Sequence, residues 1–503
     1  MSFENNNFQV VKKTRLPKGE FSLSCNVSAE GEIAKVFAVS LNAYCENQEI
    51  TNGTVSYSGH VDVCMIYQLE TGEVGSAFSS CPFSSKFEDE SITSGERAMI
   101  NLKVIDHSID AVSGSDATIG MVIEQSGLLV QNAEVRSITS NDESVCLREE
   151  EVSVIRFIGS ASASAVETAQ HSTREKVKKI LGSEASVIIK EAEAGINFVS
   201  VSGDVVTRVL YLDENDKFEN VQIYDSFKEE IEIEGVTRDS LIEATSAINN
   251  SCVKIEVEDD DKGSRITATV PFELTAYAFE ETSLNMVVDL YSTESDMEIS
   301  TESFNMTKPL AMECVEGKVD GSLTIDDEQP RVDKILFTFG STAQVTNTYV
   351  EGGEIFIEGI AKTTVVYLND ELGSFNAVEI EVPFQISEKT KATENSMLLT
   401  NAILTDVDVA VKRGREIFFD GKVRAIVAIG DDEVSAAISE AREGDAYLDR
   451  DCAMELVFAK EGATLWDIAK MNKVRQSLIA EQNPNIIFPL QENSDLVIFY
   501  QSK

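Results

Sequence analysis

The segment "SGHVDVCMIYQLETGE", residues 58–73, decides the fold, because the chain writes it three times. Its counterparts are "SGDVVTRVLYLDENDK" at 202–217 and "EGIAKTTVVYLNDELG" at 358–373. Each copy runs from a glycine (Gly59, Gly203, Gly359) to a tyrosine eight residues later (Tyr67, Tyr211, Tyr367). Between them apolar or β-branched residues alternate: Val61, Val63 and Met65; Val205, Thr207 and Val209; Ala361, Thr363 and Val365. A period of two with β-branched side chains predicts strands. The turn-rich patches "TGE", "DENDK" and "NDELG" that follow predict hairpin connections.

The register extends both ways. Phe83, Phe227 and Phe384 follow the tyrosines by 16, 16 and 17 residues. Lys35, Lys179 and Lys334, in "IAKVF", "VKKIL" and "VDKIL", precede the glycines by 24, 24 and 25. Four landmarks in step three times predict three tandem β-rich domains, with a period too long for a solenoid. Further strands are expected in "MINLKVIDHSID", "CVKIEVED", "SRITATVPFELTAYAF" and "DVDVAVKRGREIFFDGKVRAIVAI", and a helix in "RDSLIEATSAIN" at 238–249. The predicted domains are 1–147, 148–310 and 311–448, with accessible acidic linkers near 146–151, 291–312 and 430–451.

Composition bounds the rest. The chain has 503 residues, 43% of them hydrophobic, and a formal net charge of −45. Such a chain has enough apolar residues for real cores and repels nucleic acid and anionic membranes. The N-terminus "MSFENNNFQVV" lacks the basic-then-apolar pattern of an export signal, and no apolar run is long enough to span a membrane. A cytoplasmic protein is expected. The eight cysteines have no Cys-x-x-Cys spacing, which predicts free thiols and no zinc site.

Nothing in the sequence points to an enzyme. His60, His107 and His171 are the only histidines. His60 sits where the other copies carry Asp204 and Ile360, an unpromising position for catalysis. A phosphate-binding glycine loop is missing. The acidic runs "EDDDK" at 258–262 and "GDDE" at 430–433 are expected to be turns. No catalytic residue, metal or cofactor is predicted.

The last 50 or so residues change character. "MELVFA" at 454–459 predicts a strand. Thr464, with Asp467 three residues on, predicts a capped helix whose inner face carries Leu465, Ile468 and Ala469. "VRQSLIAEQNPN" predicts a second helix and "DLVIFY" at 495–500 a closing strand, giving a small α+β (βααβ) module over 452–503. Trp466, the only tryptophan, lies beside the apolar stripe. It either covers the edge of the small core or stands as an exposed aromatic anchor, a residue type enriched at interaction hot spots.

"EGATLWDIAK…LIAEQNPNI…LVIF" resembles a LysM domain, although Ala463 replaces the usual acidic residue after Gly462. The three upstream units resemble SPOCS domains. Three SPOCS domains followed by one LysM domain resemble the family of SipL-type spore coat morphogenesis proteins. The resemblance implies a non-enzymatic adaptor in spore coat assembly. It would work in the mother-cell cytoplasm at the forespore surface, docking through its LysM domain onto the coat ATPase of SpoIVA type. On the module, the implied partner-binding residues are Lys460, Glu461, Gly462, Trp466, Lys470, Asn483, Asn485 and Ile486. LysM domains also bind N-acetylglucosamine polymers, so the alternative is a peptidoglycan-binding protein.

Overall fold

The structure is a computed structural model. It describes residues 3–92, 97–326, 328–369, 373–448 and 452–500. Asp370, Glu371 and Leu372 of the expected third turn lie outside the described residues.

The protein is mainly β, and three stretches of chain repeat one topology. The first contains β1 (Glu4–Ser28), β2 (Ile33–Thr51), β3 (Thr54–Leu69), β4 (Val74–Glu88), β5 (Arg97–Ser113) and β6 (Asp116–Thr139). The second contains β7 (Val145–Ser172), β8 (Val177–Ala194), β9 (Phe198–Asp213), β10 (Phe218–Glu232), β11 (Leu241–Ile248), β12 (Lys254–Asp260) and β13 (Gly263–Ser292). The third contains β14 (Ser295–Thr324), β15 (Lys334–Glu351), β16 (Glu354–Asn369), β17 (Ser374–Lys389), β18 (Met397–Lys412) and β19 (Glu416–Ala446).

Each unit is a sandwich of two antiparallel sheets. One is a meander, β2-β3-β4, β8-β9-β10 or β15-β16-β17. In the other, the last strand is flanked by the unit's first strand and its penultimate one: β1-β6-β5, β14-β19-β18, and β7, β11 and β12 around β13. The two sheets face each other in the same way each time, with β1 over β4, β7 over β10 and β14 over β17. The quoted segments are the middle strands β3, β9 and β16, covered on both edges and so rich in buried residues.

The landmarks have physical causes. Gly59, Gly203 and Gly359 pair with Phe83, Phe227 and Phe384 on the third meander strand. On the other side the first meander strand bulges, between Cys45 and Asn47, Ile189 and Glu191, and Val345 and Asn347. The bulge pushes a carbonyl toward the glycine. A Cβ would sit 1.9, 2.0 or 2.3 Å from the oxygens of Tyr44, Ile188 or Gln344. Only glycine admits that approach. The tyrosines are buried at the far end of the strand. Tyr67 accepts from the backbone N–H of Glu30 (3.3 Å), and Tyr367 donates to the carbonyl of Pro330 (3.2 Å), each partner 37 residues upstream.

The units close into a ring. Asn42 donates to the Ile248 carbonyl (3.3 Å), joining the first to the second. Arg424 meets Asp204 (3.2 Å), joining the third to the second. Gln344 donates to the Val104 carbonyl (3.0 Å), joining the third to the first. Residues at matching places fill the centre: Ile66, Leu210 and Val366, each just before its tyrosine, and the bulged Phe37, Leu181 and Leu336 of the first meander strands, with Phe337 beside them. The repeat lysines also stitch units together, Lys179 to Glu73 (3.6 Å) and Lys35 to the Phe375 carbonyl (3.3 Å). Beyond the ring, the paired first and last strands extend as three ribbons. They bury Val10 and Val135, Val154 and Met286, and Phe304 and Met306 against one another.

This geometry corrects several expectations. Boundaries at 147/148 and 310/311 fall inside β7 and β14, so the units are offset from the predicted division. Most of the supposed linkers are strand: residues 146–151 belong to β7, 291–292 to β13, 295–312 to β14 and 430–446 to β19, while 449–451 lie outside the described residues. Their polarity reflects ribbon faces turned to solvent. Residues 241–248 form β11, not a helix, because pairing with β13 overrides the local apolar spacing. Asp431 and Asp432 of "GDDE" are strand residues accepting from Ser396 and Thr307. Cys25 and Cys81 form a disulfide between β1 and β4 (Cα–Cα 5.9 Å), while the other six cysteines are free.

The module on the ribbon tip

The chain after β19 forms β20 (Met454–Ala459), α1 (Leu465–Met471), α2 (Gln476–Gln482) and β21 (Ser494–Phe499). β20 and β21 pair antiparallel. Thr464 and Asp467 form a reciprocal capping box: the Thr464 hydroxyl accepts from the Asp467 N–H (3.1 Å), and the Asp467 carboxylate accepts from the Thr464 N–H (3.2 Å). Ile468, Ala469, Ile479, Leu496 and Ile498 make the core.

The module is not a free bead. It sits on the ribbon tip, where β7 begins and β13 ends. Trp466 is only 6% exposed and meets Tyr291 edge-on, with centroids 5.0 Å apart. Its indole N–H donates to Asp289 Oδ2 (2.8 Å), and Lys470 Nζ reaches Asp289 Oδ1 (2.5 Å). Tyr291 donates to the Val474 carbonyl (2.7 Å). Burial, and after it the Cys146 thiol, pushes the Tyr291 phenol up from its ordinary value. Around this centre Arg475 donates to the Glu143 carbonyl (2.6 Å) and Lys473 approaches Asp296 (3.6 Å). Burial works against ionisation of Asp289, yet hydrogen bonds from Lys470 and Trp466 and the Lys470 charge hold its pKa below the ordinary value.

The predicted partner-binding residues therefore separate into three groups. Trp466 and Lys470 are engaged by the protein's own Asp289; the exposed-anchor expectation for Trp466 is corrected by its burial. Asn483 is also inside. Its side chain donates to the carbonyls of Ile479 and Val497 (2.9 Å each) and accepts from the Val497 N–H (3.0 Å), tying α2 to β21. Lys460, Glu461, Gly462 and Asn485 are exposed, and Ile486 is half-buried. These five lie on two loops that meet, with the Gly462 N–H donating to the Leu490 carbonyl (2.8 Å). Gly462 has a φ of +85°, which suits glycine at that turn.

Sequence reasoning overlooked the outer face of the β20–β21 ribbon. Met454, Leu456 and Phe458 point away from the core and pair with Phe499, Val497 and Asp495. Met454, Leu456, Phe458 and Phe499 are between 51% and 64% exposed. Alternation in "MELVFA" is weak because Val457 and Ala459 on the inner face are apolar as well as Met454, Leu456 and Phe458 outside, which is itself the available signal.

Elsewhere, His60 is buried between Glu46 (3.2 Å) and Asp62 (3.4 Å), where Asp62 accepts from the Ser251 N–H of the second unit. Among the described residues, no helix is long and apolar enough to cross a membrane. Comparison with protein-family models, curated proteins and solved structures found no match.

Proposed function

We propose that the protein is a structural adaptor whose terminal module is a LysM domain used as a docking head. The three β-units are of the SPOCS type. Its partner is the SpoIVA-type ATPase on the forespore surface, and its role is in spore coat assembly within the mother cell. The sequence resemblance supplies this context. One observation supports the mechanical part: the module is clamped to the ribbon tip by Asp289 and Tyr291. Three units locked in a ring give a stiff support, and a clamped head is presented in one orientation. Less orientational freedom is then lost on binding.

The test is capture of the ATPase from sporulating cells by the full chain and by a chain ending before residue 452. Recovery only with the module supports the reading; equal recovery by both chains defeats it.

A second reading, a peptidoglycan-binding protein, is favoured by the two exposed loops meeting at Gly462 and Leu490. Pelleting of the protein with purified cell wall, abolished by loss of the module, would establish it instead.

A further inference from the structure

The module's charges are sorted by its docking. Its described residues carry four cations, Lys460, Lys470, Lys473 and Arg475. Three of them are engaged by Asp289, Asp296 and Glu143 of the body. Only Lys460 remains on the outward side. Of the module's six described acids, Asp467 and Glu481 lie on the helices, and three gather by the outer ribbon face. Asp495 lies on the outer ribbon face opposite Phe458, and Glu461 and Glu492 lie just beyond the strand ends there. Glu455 lies on the opposite face of β20, paired with the core residue Ile498 and held by the Tyr500 hydroxyl. What the clamped module shows to solvent is thus an apolar face (Met454, Leu456, Phe458, Val497 and Phe499) with a net acidic rim.

We infer that this face docks a protein segment whose apolar side chains are flanked by lysine or arginine. The inference rests on reading the module as a docking head. Contiguous exposed apolar side chains edged by charge mark interaction surfaces, and rim charges select the partner through complementarity. A second copy of this chain would bring the same acidic rim and a net charge of −45 against its own kind. An anionic lipid surface would be repelled for the same reason. A segment with apolar residues at alternate positions and basic residues at its two ends fits the ribbon, since alternate residues of a strand share one face and the ends reach the rim.

The probes are labelled synthetic peptides titrated by anisotropy against the full chain: a Leu-Ser-Leu-Ser-Leu run flanked by lysines (Leu–Lys), the same run flanked by glutamates (Leu–Glu), and an all-serine run flanked by lysines (Ser–Lys). The variants are Leu456→Asn and Phe458→Asn, both at exposed positions. Emission of Trp466 checks that the module stays clamped. The Leu–Lys peptide is expected to bind the parent chain, and each variant to weaken it tenfold or more. The Ser–Lys peptide should bind weakly and ignore the substitutions. Equal binding of the Leu–Glu peptide, or Leu–Lys binding unchanged in both variants, overturns the inference. Pelleting with neutral phosphatidylcholine vesicles, lost in the variants, would overturn it in favour of lipid. The two readings fail separately. A cellular partner that needs residues 452–503 but ignores both substitutions defeats this surface alone. Capture that ignores deletion of the module defeats the docking head.

Discussion

Trp466 and Asp289 are 177 residues apart in sequence, yet the indole N–H of one donates to the carboxylate of the other at 2.8 Å. The contact converts the chain's only tryptophan from a surface anchor into the bolt holding the module to the body. Trp466→Ala removes a buried aromatic and should cost about 3–5 kcal/mol at the module–body junction. Asp289→Ala leaves the indole N–H and Lys470 without their acceptor and should cost about 1–3 kcal/mol. Urea unfolding followed by hydrogen exchange across 454–499 would measure both. Unchanged protection in either variant would show that the contact contributes nothing.

The same pair sets an acid limit. Asp289 titrates below its ordinary value of 3.8 in the folded protein. Its contribution to docking is therefore complete above that value and is lost as the pH falls through the lower folded-state pKa. Since Trp466 is the sole tryptophan, its emission reports the junction directly. A red shift is expected only below about pH 3.8, and Asp289→Asn should already show it at neutral pH.

The repeat glycines predict a sharp contrast. Gly203→Ala drives a Cβ to 2.0 Å from the Ile188 carbonyl and against the Phe227 ring. A loss of about 2–4 kcal/mol is expected, in the range of severe core substitutions. Gly72→Ala, at a turn of positive φ with open space around it, should cost only the backbone strain, about 1–2 kcal/mol. Thermal unfolding of the two variants would test the order.

Proteolysis should avoid the acidic stretches that look like linkers. Arg442 lies within β19, paired with Glu298 of β14, whereas Lys262 sits exposed in the turn between β12 and β13. Trypsin is expected to cut at Lys262 well before Arg442. Mass spectrometry of early digests decides the matter.

How much of this was readable in the sequence depends on the range of the forces involved. The middle strands were legible because burial on both edges writes a dense apolar alternation, as in Val205, Thr207 and Val209. The capped helix at Thr464 was legible because a capping box is local. The ribbons were not. Phe304 and Met306 alternate inside "STESFNMTK", but their partners Val135 and Met286 belong to other units. The Trp466 clamp was invisible for the same reason, since nothing near Asp289 in sequence announces an indole. Residues 238–249 misled because their apolar spacing suits a helix, while the open edge of β13 claimed them.

The last expectation concerns Lys13 and Glu243, which join the first unit to the second deep inside the protein. Their side chains are 2% and 3% exposed and form an ion pair, with the Lys13 ammonium 5.0 Å from the centre of the Phe279 ring. The backbone N–H of Lys13 donates to the Thr307 hydroxyl of the third unit, so all three units meet at one residue. Two charges taken from water cost several kcal/mol each, and their attraction roughly repays that cost. Glu243 Oε2 has no hydrogen-bond partner, which limits the repayment further. Removing one member should therefore hurt more than removing both. Lys13→Met leaves a buried carboxylate and should destabilise the ring by about 3–5 kcal/mol. The double change Lys13→Met with Glu243→Leu should recover most of that loss, or exceed the parent. Urea midpoints of the parent, both single variants and the double variant form a complete cycle. A double variant as unstable as Lys13→Met alone would mean that the pair contributes a net attraction beyond its desolvation cost.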